Sequence, residues 1–380
     1  MELPDFSAFP GLDGKIWLNC AHQGPLPAVA AEAARRAIEW KEQPWELTTE
    51  RFSGVPARLR ETLGRLLRVP GEDVVLGNSA SFGLHLLANG LPFRSGDEVL
   101  VMDGDFPSNL LPWEGRAGVT VRRLQPAADV LTADEVQRGL TPASRAVCLS
   151  WVHSFSGRVA DLRAIAWICR ERGVWLLVNG SQAVGARPFD PESLPVDALV
   201  GVGFKWLCGP YGTGYCWIRP ELRERMAYNQ RYWLSLQTAE ALERGRGELA
   251  PPADWGARRY DLFGTANFFN FTAWTAALDR LLAHGVETIE RHDQQLVARL
   301  LARIDRDAYR VLTPEDPERR STLVFLTHRE PARNRAIFRR LAQRGIHLAL
   351  RAGALRAAPH YYNSVDQIDE LCNALAEVAG

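Results

Sequence analysis

A single lysine stands between two apolar runs in GVGFKWLCGPYGTGYCWI, residues 201–218, just ahead of a glycine-rich turn. Lysine is rarely buried unless paired, because removing an ammonium from water is costly. Lys205 is therefore either shielded at the mouth of a turn or used for its amine. A buried amine has a depressed pKa and becomes a nucleophile able to form a Schiff base with an aldehyde. A snorkelling lysine at a strand end fits the same stretch equally well.

Other stretches offer partners for such an amine. In LGNSASFGLHLLANGL, residues 76–91, a strand runs into small polar residues and then a helical pattern, so Ser79, Ala80 and Ser81 fall at a helix N-terminus. Free N–H groups and the helix dipole make that place an anion site, or an ordinary serine cap. VMDGDFPSNLLPW, residues 101–113, leaves a strand and turns at Pro107, bringing Phe106 to the crevice end of a parallel strand or into the core. WLLVNGSQAVGA, residues 175–186, sets Asn179 at the end of a buried strand with Gln182 three residues on. Lys205 ends the next strand, 26 residues after Asn179. His153, in LSWVHSFSG, closes another strand at that edge, as a general acid or base or as a hydrogen-bonded crevice residue. Each of these has an ordinary reading alone, but their convergence on one sheet edge points to a site.

The elements that must position them are legible as alternation. Runs at 97–102, 119–124, 145–152, 174–178 and 197–203 are short, rich in Val and Leu, and bounded by Gly, Pro or Asp, as strands buried on both faces are. Helical segments lie between them. TADEVQRGL carries a capping box from Thr132 to Glu135, and DLRAIAWICRERG, residues 161–173, opens on an acid and closes on Arg and Gly. The pattern predicts an α/β fold with a mainly parallel sheet in a large domain, residues 1–265. A smaller α+β domain follows over 266–380, with a helix over 286–305, a strand in STLVFLTH, a helix in ARNRAIFRRLAQRG, a strand around IHLALRAG and a closing helix 364–379. Residues 235–262 read as a surface excursion.

Composition narrows the classes. The chain has 380 residues, room for two or three domains and a large core. Lys plus Arg and Asp plus Glu are 45 each, so no global charge argues for nucleic acid or an anionic membrane. No run reaches the length of a membrane span, and the start, MELPDFSAFPGLDG, lacks the apolar segment of a signal peptide. The six cysteines are scattered, without a CxxC pair, which predicts reduced thiols, no metal site and a cytoplasmic protein.

The segments NCAHQGPLP, NSASFGLHLLA, DFPSNLLPW, SGRVADL, NGSQAVGARPFD, FKWLCGPYGTG, YDLFGTANF and LRAAPHYYN, in that order, resemble the class V aminotransferase family of pyridoxal 5′-phosphate (PLP) enzymes. That family, of fold type I, includes kynureninase, cysteine desulfurases and isopenicillin N epimerase-like proteins. The resemblance implies that Lys205 holds PLP as a Schiff base and that Phe106 stacks on its ring. It implies phosphate contacts from Ala80 and Ser81, a Gln182 bond to the phenolic oxygen, and an Arg356 clamp on a substrate carboxylate. His22, in NCAHQGP, would border the substrate, and His360 would pack near Arg356. Gly264 and Thr265, in FGTAN, resemble the segment that reaches the phosphate of a neighbouring subunit, which implies a homodimer with shared active sites.

The chain departs from the pattern in three places. Asn179 stands where the family has Asp, whose charge keeps the ring nitrogen protonated. A charge-assisted bond is worth about 1.5–3 kcal/mol against ~1 for a neutral one, so carbanion chemistry at Cα is expected to be weaker. Val202 and Phe204 replace the Ser and His that flank the lysine in many relatives. LALRAGALRAAPHYYN has no cysteine before Arg356, which disfavours cysteine desulfuration. The implied function is a PLP enzyme acting on the Cα of an amino acid, with transamination as the family default. A lyase, epimerase or decarboxylating oxidase would use the same residues, and a degenerate PLP fold serving as a binding protein is the rival from another class. Trp113, Trp151 and Trp206 hint at a bulky or aromatic substrate.

Overall fold

The computed structural model describes residues 6–227, 255–264 and 266–379. Its centre is a seven-stranded sheet in the order β2-β8-β7-β6-β5-β3-β4. The strands are β2 (Val74–Gly77), β3 (Glu98–Met102), β4 (Thr120–Leu124), β5 (Ser144–Ser150), β6 (Trp175–Asn179), β7 (Ala198–Val202) and β8 (Gly214–Ile218). Only β8 runs against its neighbours, pairing antiparallel with both β2 and β7. Strands β5, β6, β7 and β8 are buried almost without interruption, as expected of strands covered on both faces.

Helices cover the sheet: α1 (Ala28–Glu42), α2 (Thr49–Leu67), α3 (Ala80–Gly90), the short α4 (Leu111–Glu114), α5 (Ala133–Gly139), α6 (Leu162–Glu171), the short α7 (Pro220–Arg223) and α8 (Phe268–His284). The expected capping box on α5 is present, Thr132 accepting from the Glu135 N–H and Glu135 accepting from the Thr132 N–H. Two apolar layers lie on the sheet. One gathers Leu100, Val147, Leu176, Tyr215 and Trp274, and the other Val75, Leu84, Val101, Cys148 and Val200.

The C-terminal part builds a four-stranded antiparallel sheet, β12-β13-β10-β9. Its strands are β9 (Tyr309–Val311), β10 (Val324–His328), β12 (Ala349–Arg351) and β13 (Ala354–Ala357), packed with α9 (Val286–Arg303), α10 (Asn334–Gln343) and α11 (Val365–Ala379). Leu296, Leu300, Leu326, Ile337, Leu355, Ile368 and Leu375 fill this second core. The strand expected around IHLALRAG is split. Its first residues form β11 (Ile346–His347), and the rest turns back as a hairpin through Ala352 and Gly353, both at positive φ (47° and 80°). Positive φ at both central residues is the geometry of a tight hairpin turn matched to strand twist.

Two features cross between the parts. Helix α8, after residue 265, buries Trp274 and Leu278 in the core of the large sheet. The N-terminal strand β1 (Ile16–Trp17) pairs in parallel with β11, Ile16 opposite Ile346. Among the described residues, no helix is long and apolar enough to cross a membrane.

Candidate active site

The C-terminal ends of β2, β3, β5, β6 and β7 share one sheet edge, and the residues that follow each strand line a cavity of about 590 Å³. Asn78 to Ser81 follow β2, Phe106 and Ser108 follow β3, Val152, Ser154 and Phe155 follow β5, Ser181 and Gln182 follow β6, and Phe204 and Lys205 follow β7. A crevice beyond the carboxyl ends of parallel strands is where open α/β sheets bind ligands. The other wall comes from Ala21, His22 and Gln23 and from Arg351 and Arg356 of the hairpin.

Lys205 reaches the cavity with its Nζ 5.7 Å from the Phe106 ring centroid and 5.9 Å from that of Phe204. Burial pushes its amine down to about 8, helped by the charges of Arg356 and Arg351. The backbone around it is pinned by the N-terminal segment. Gly24 donates to the Phe204 carbonyl at 2.8 Å, and a side chain at Gly24 would collide with the Lys205 carbonyl. Cys20 Sγ also lies 3.6 Å from that carbonyl.

Ser79 caps α3, its hydroxyl accepting from the Phe82 N–H at 3.1 Å, which leaves Ala80 and the exposed Ser81 at the helix N-terminus. The strand opposite must be Gly214, because a Cβ there would strike the Ser79 backbone. Phe106 is 41% exposed and lies near-parallel to Phe155.

Asn179 is held by a chain of amides. Its Nδ2 donates to Asn109 Oδ1 at 2.9 Å and to Ser108 Oγ at 3.3 Å, while its Oδ1 accepts from the Ser181 N–H at 3.1 Å. Asn109 in turn donates to Asp105 Oδ2 at 2.8 Å. A carboxylate only accepts, so Asp105 fixes which way Asn109 points, and Asn109 fixes Asn179 with its oxygen as the remaining acceptor. Gln182 is committed at both ends, Nε2 to the Ala21 carbonyl at 3.1 Å and Oε1 to Trp206 Nε1 at 2.9 Å, leaving one amide hydrogen over.

Arg356 is 3% exposed and donates to Asn19 Oδ1 at 3.2 Å, yet its Nε has no protein partner. Burial lowers it to about 10, with the Arg351 charge adding to the effect. His22 is lowered by burial first and then by Arg351, Arg356 and Lys205. The Ser181 hydroxyl, also on the cavity wall, is buried without a partner.

Not every expected residue meets the cavity. The lining includes Val152 and Ser154 but passes over His153, whose Nε2 donates to the Gly104 carbonyl at 3.2 Å and whose Nδ1 faces Ser156 Oγ at 2.9 Å. Trp113, Trp151 and Trp206 are all buried at 4% exposure or less and none lines the cavity, so the hint of an aromatic substrate loses its basis. Thr265 lies outside the described residues.

Other residues emerge only in three dimensions. Asp105 and Asn109 were hidden inside a recognised stretch, where their spacing of four gave the one available signal. Arg351 joins Arg356 through a turn that the Ala-Gly pair could have announced. Cys20, Cys208 and His360, far apart in sequence, gather in one buried cluster with ligand atoms within 4.8 Å of one another. Both His360 nitrogens are engaged, Nδ1 with Asp293 Oδ2 at 2.7 Å and Nε2 with the Trp206 carbonyl at 2.9 Å. Burial alone would lower His360, but the Asp293 charge and hydrogen bond outweigh it and the imidazole is raised.

With this geometry in hand, the comparisons are specific. The aminotransferase class-V family matches residues 47–366, and the chain belongs to that family. It is 26% identical to isopenicillin N epimerase of Streptomyces clavuligerus over 96% of this chain and 94% of that protein. It is 24% identical to a probable cysteine desulfurase of Methanothermobacter thermautotrophicus, over 84% and 83% of the two chains. A structure of a C-DES mutant with glycine covalently linked to its PLP cofactor superimposes with a TM-score of 0.89 at 27% identity, over 99% of each chain. A second, of the cystine C–S lyase C-DES with its product cysteine persulfide, gives 0.87 at 26% identity, over 98% and 99%. The fold is thus that of the type I PLP enzymes, and PLP is the cofactor. The site fits such a group: an amine with a depressed pKa, a helix N-terminus for an anion, and the orphaned polar atoms of Ser181 and Arg356 all border one cavity.

Proposed function

We propose that the chain is a PLP-dependent enzyme acting at the Cα of an amino acid through a Schiff base on Lys205, with transamination as its default outcome. The observation that carries this reading is the Lys205 amine, brought down to about 8 beside an arginine whose Nε lacks a partner. A neutral amine near pH 8 is both a nucleophile and, once released, a base for the Cα proton. When bound, PLP supplies the electron sink that loosens the bonds at Cα.

In this reading Ala80 and Ser81 hold the phosphate with the α3 N-terminus, Phe106 covers the ring face, and Asn179 meets the ring nitrogen. Gln182 directs its spare hydrogen at the phenolic oxygen, Arg356 binds the α-carboxylate, and His22 borders the substrate. His153 props the β5 end against the Gly104 carbonyl, so proton movement falls to Lys205. A homodimer in the cytoplasm completes the proposal.

A second reading is a lyase that breaks a C–S bond by elimination, a route that needs no sulfur-accepting thiol. All six cysteines are buried and none lines the cavity, so no thiol stands ready to accept sulfur. That disfavours the persulfide route of a cysteine desulfurase despite the relatives so named, and leaves elimination open.

The test begins with the visible spectrum of the protein mixed with PLP, beside Lys205→Ala. A cofactor band present in the first and lost in the second supports the reading; no uptake of PLP by the parent protein sinks it and leaves a binding protein of degenerate fold. Products then sort the chemistry. A keto acid with an aminated acceptor marks transamination, whereas ammonia and pyruvate from a sulfur amino acid mark elimination.

A further inference from the structure

The charge lining the cavity is one-sided. Lys205, Arg351 and Arg356 border it, and among the described residues no Asp or Glu does. Arg351 also borders a second groove with Arg335 and Arg339, again without an acid among the described residues, and its side chain has no hydrogen bond or ion pair among them. Like charges held this close repel, which adds to the burial that already lowers Lys205 and Arg356. An arrangement of this kind is stabilised by anions that come with the ligand.

The hairpin decides where those anions must be. Arg356 lies opposite Ala349, and Arg351 opposite Ala354. Side chains alternate along a strand, so the two arginines stand on the same face as diagonal neighbours, about 7–8 Å apart at the backbone. The positive-φ turn at Ala352 and Gly353 fixes that relation. They differ in depth: Arg356 is 3% exposed with an unpartnered Nε, whereas Arg351 is only partly buried. A ligand anchored on Arg356 and extending outward therefore meets Arg351 next.

We propose that Arg351 is a specificity-determining residue that binds a second carboxylate, so that the substrate is a dicarboxylic amino acid with its α-carboxylate on Arg356 and its side-chain carboxylate on Arg351. The proposal rests on the reading of Arg356 given above. The phosphate of the cofactor does not need Arg351, because the α3 N-terminus and Ser81 serve it at the β2 end of the cavity. A planar fork suits a carboxylate that is reached at the end of a flexible chain.

The experiment pairs acids with their neutral isosteres on the holoenzyme. Glutamate against glutamine and aspartate against asparagine are titrated while the cofactor band is followed, in the parent protein and in Arg351→Gln. Glutarate against butyrate is titrated by calorimetry on the same proteins, a readout that needs neither an amine nor turnover. The parent should favour one dicarboxylate over its isostere by about tenfold or more, and Arg351→Gln should remove that preference while leaving the neutral ligand within about twofold. Three results overturn the proposal: no preference in the parent, equal losses for acid and isostere, which would place both arginines on one carboxylate, or an intact preference with weakened PLP affinity, which would place Arg351 on the phosphate. Absence of a cofactor band would instead defeat the PLP reading, while the glutarate titration still reports on the arginine pair.

Discussion

The amine of Lys205 sits within range of two guanidinium groups, and that sets its titration. Protein that has not yet taken up PLP should react with it faster as pH rises through about 8, because only the neutral amine attacks an aldehyde. Arg351→Gln removes one of the charges that lower the lysine, so the midpoint of that rate profile should move upward. Stability follows the same logic. The folded value lies below the unfolded one, so between about 8 and 10.4 the unfolded chain binds the extra proton and stability from this group rises with pH. Lys205→Met should flatten that rise in chemical denaturation; an unchanged slope would show that the amine is not depressed.

The amide chain behind Asn179 makes a second residue-scale prediction. Asp105→Asn gives Asn109 a partner that can donate or accept, which removes one of the ties on Asn179 and leaves its orientation to the Ser181 N–H and Ser108. The pH midpoint of the cofactor band should shift in Asp105→Asn, with a smaller shift in Asp105→Glu, which keeps the charge. A variant that melts earlier but titrates like the parent would reduce Asp105 to a structural tie. The sequence disclosed Asn179 and Phe106 because one ends a strand and the other follows one closely, and strand ends are marked by apolar runs. Asp105 and Asn109 showed only as a spacing of four, since a turn of irregular backbone decides where their side chains point.

At the scale of elements, the site depends on segments brought to Lys205 from both ends of the chain. Gly24 lets the N-terminal segment lie directly on the lysine loop, and Gly24→Ala, by pressing on the Lys205 carbonyl, should weaken PLP retention although Gly24 itself is not among the proposed cofactor ligands. On the other side, His360 links Asp293 of α9 to the Trp206 carbonyl, next to Lys205. Removing one partner from a buried charged pair costs about 3–5 kcal/mol. Asp293→Asn should lower the urea midpoint accordingly; a change of under about half a kcal/mol would mean that His360 is neutral in the fold. The alternating strands and the capping box of α5 were legible because they rest on local periodicity and local hydrogen bonds. The split of the β11–β12 stretch was not, because it depends on a partner strand more than three hundred residues away.

Across the whole molecule, the cavity is a meeting of three regions: the sheet edge, the N-terminal segment and the C-terminal hairpin. The cationic arginines are on the hairpin and the amine is on the sheet, so any shift of one part against the other changes the distance between charge and reacting group. Ligand binding at Arg356 should therefore protect backbone amides of β12 and β13 from hydrogen exchange more than those of β5 and β6, which lie in the packed core. Equal protection in both regions would argue for a body that moves as one. The alternation of strand and helix made the layered architecture readable from sequence, but a contact between residue 16 and residue 346 leaves no periodic trace.

That contact has a consequence for how the chain is made. Strand β1 leaves the ribosome more than three hundred residues ahead of its partner, Ile346–His347. Until then the lysine loop lacks the brace that Gly24 provides, and the entropy of closing so long a loop must be met by an otherwise assembled structure. Synthesis thus imposes an order: the large sheet forms early, and the pocket becomes competent only when the first strand and one of the last are finally joined.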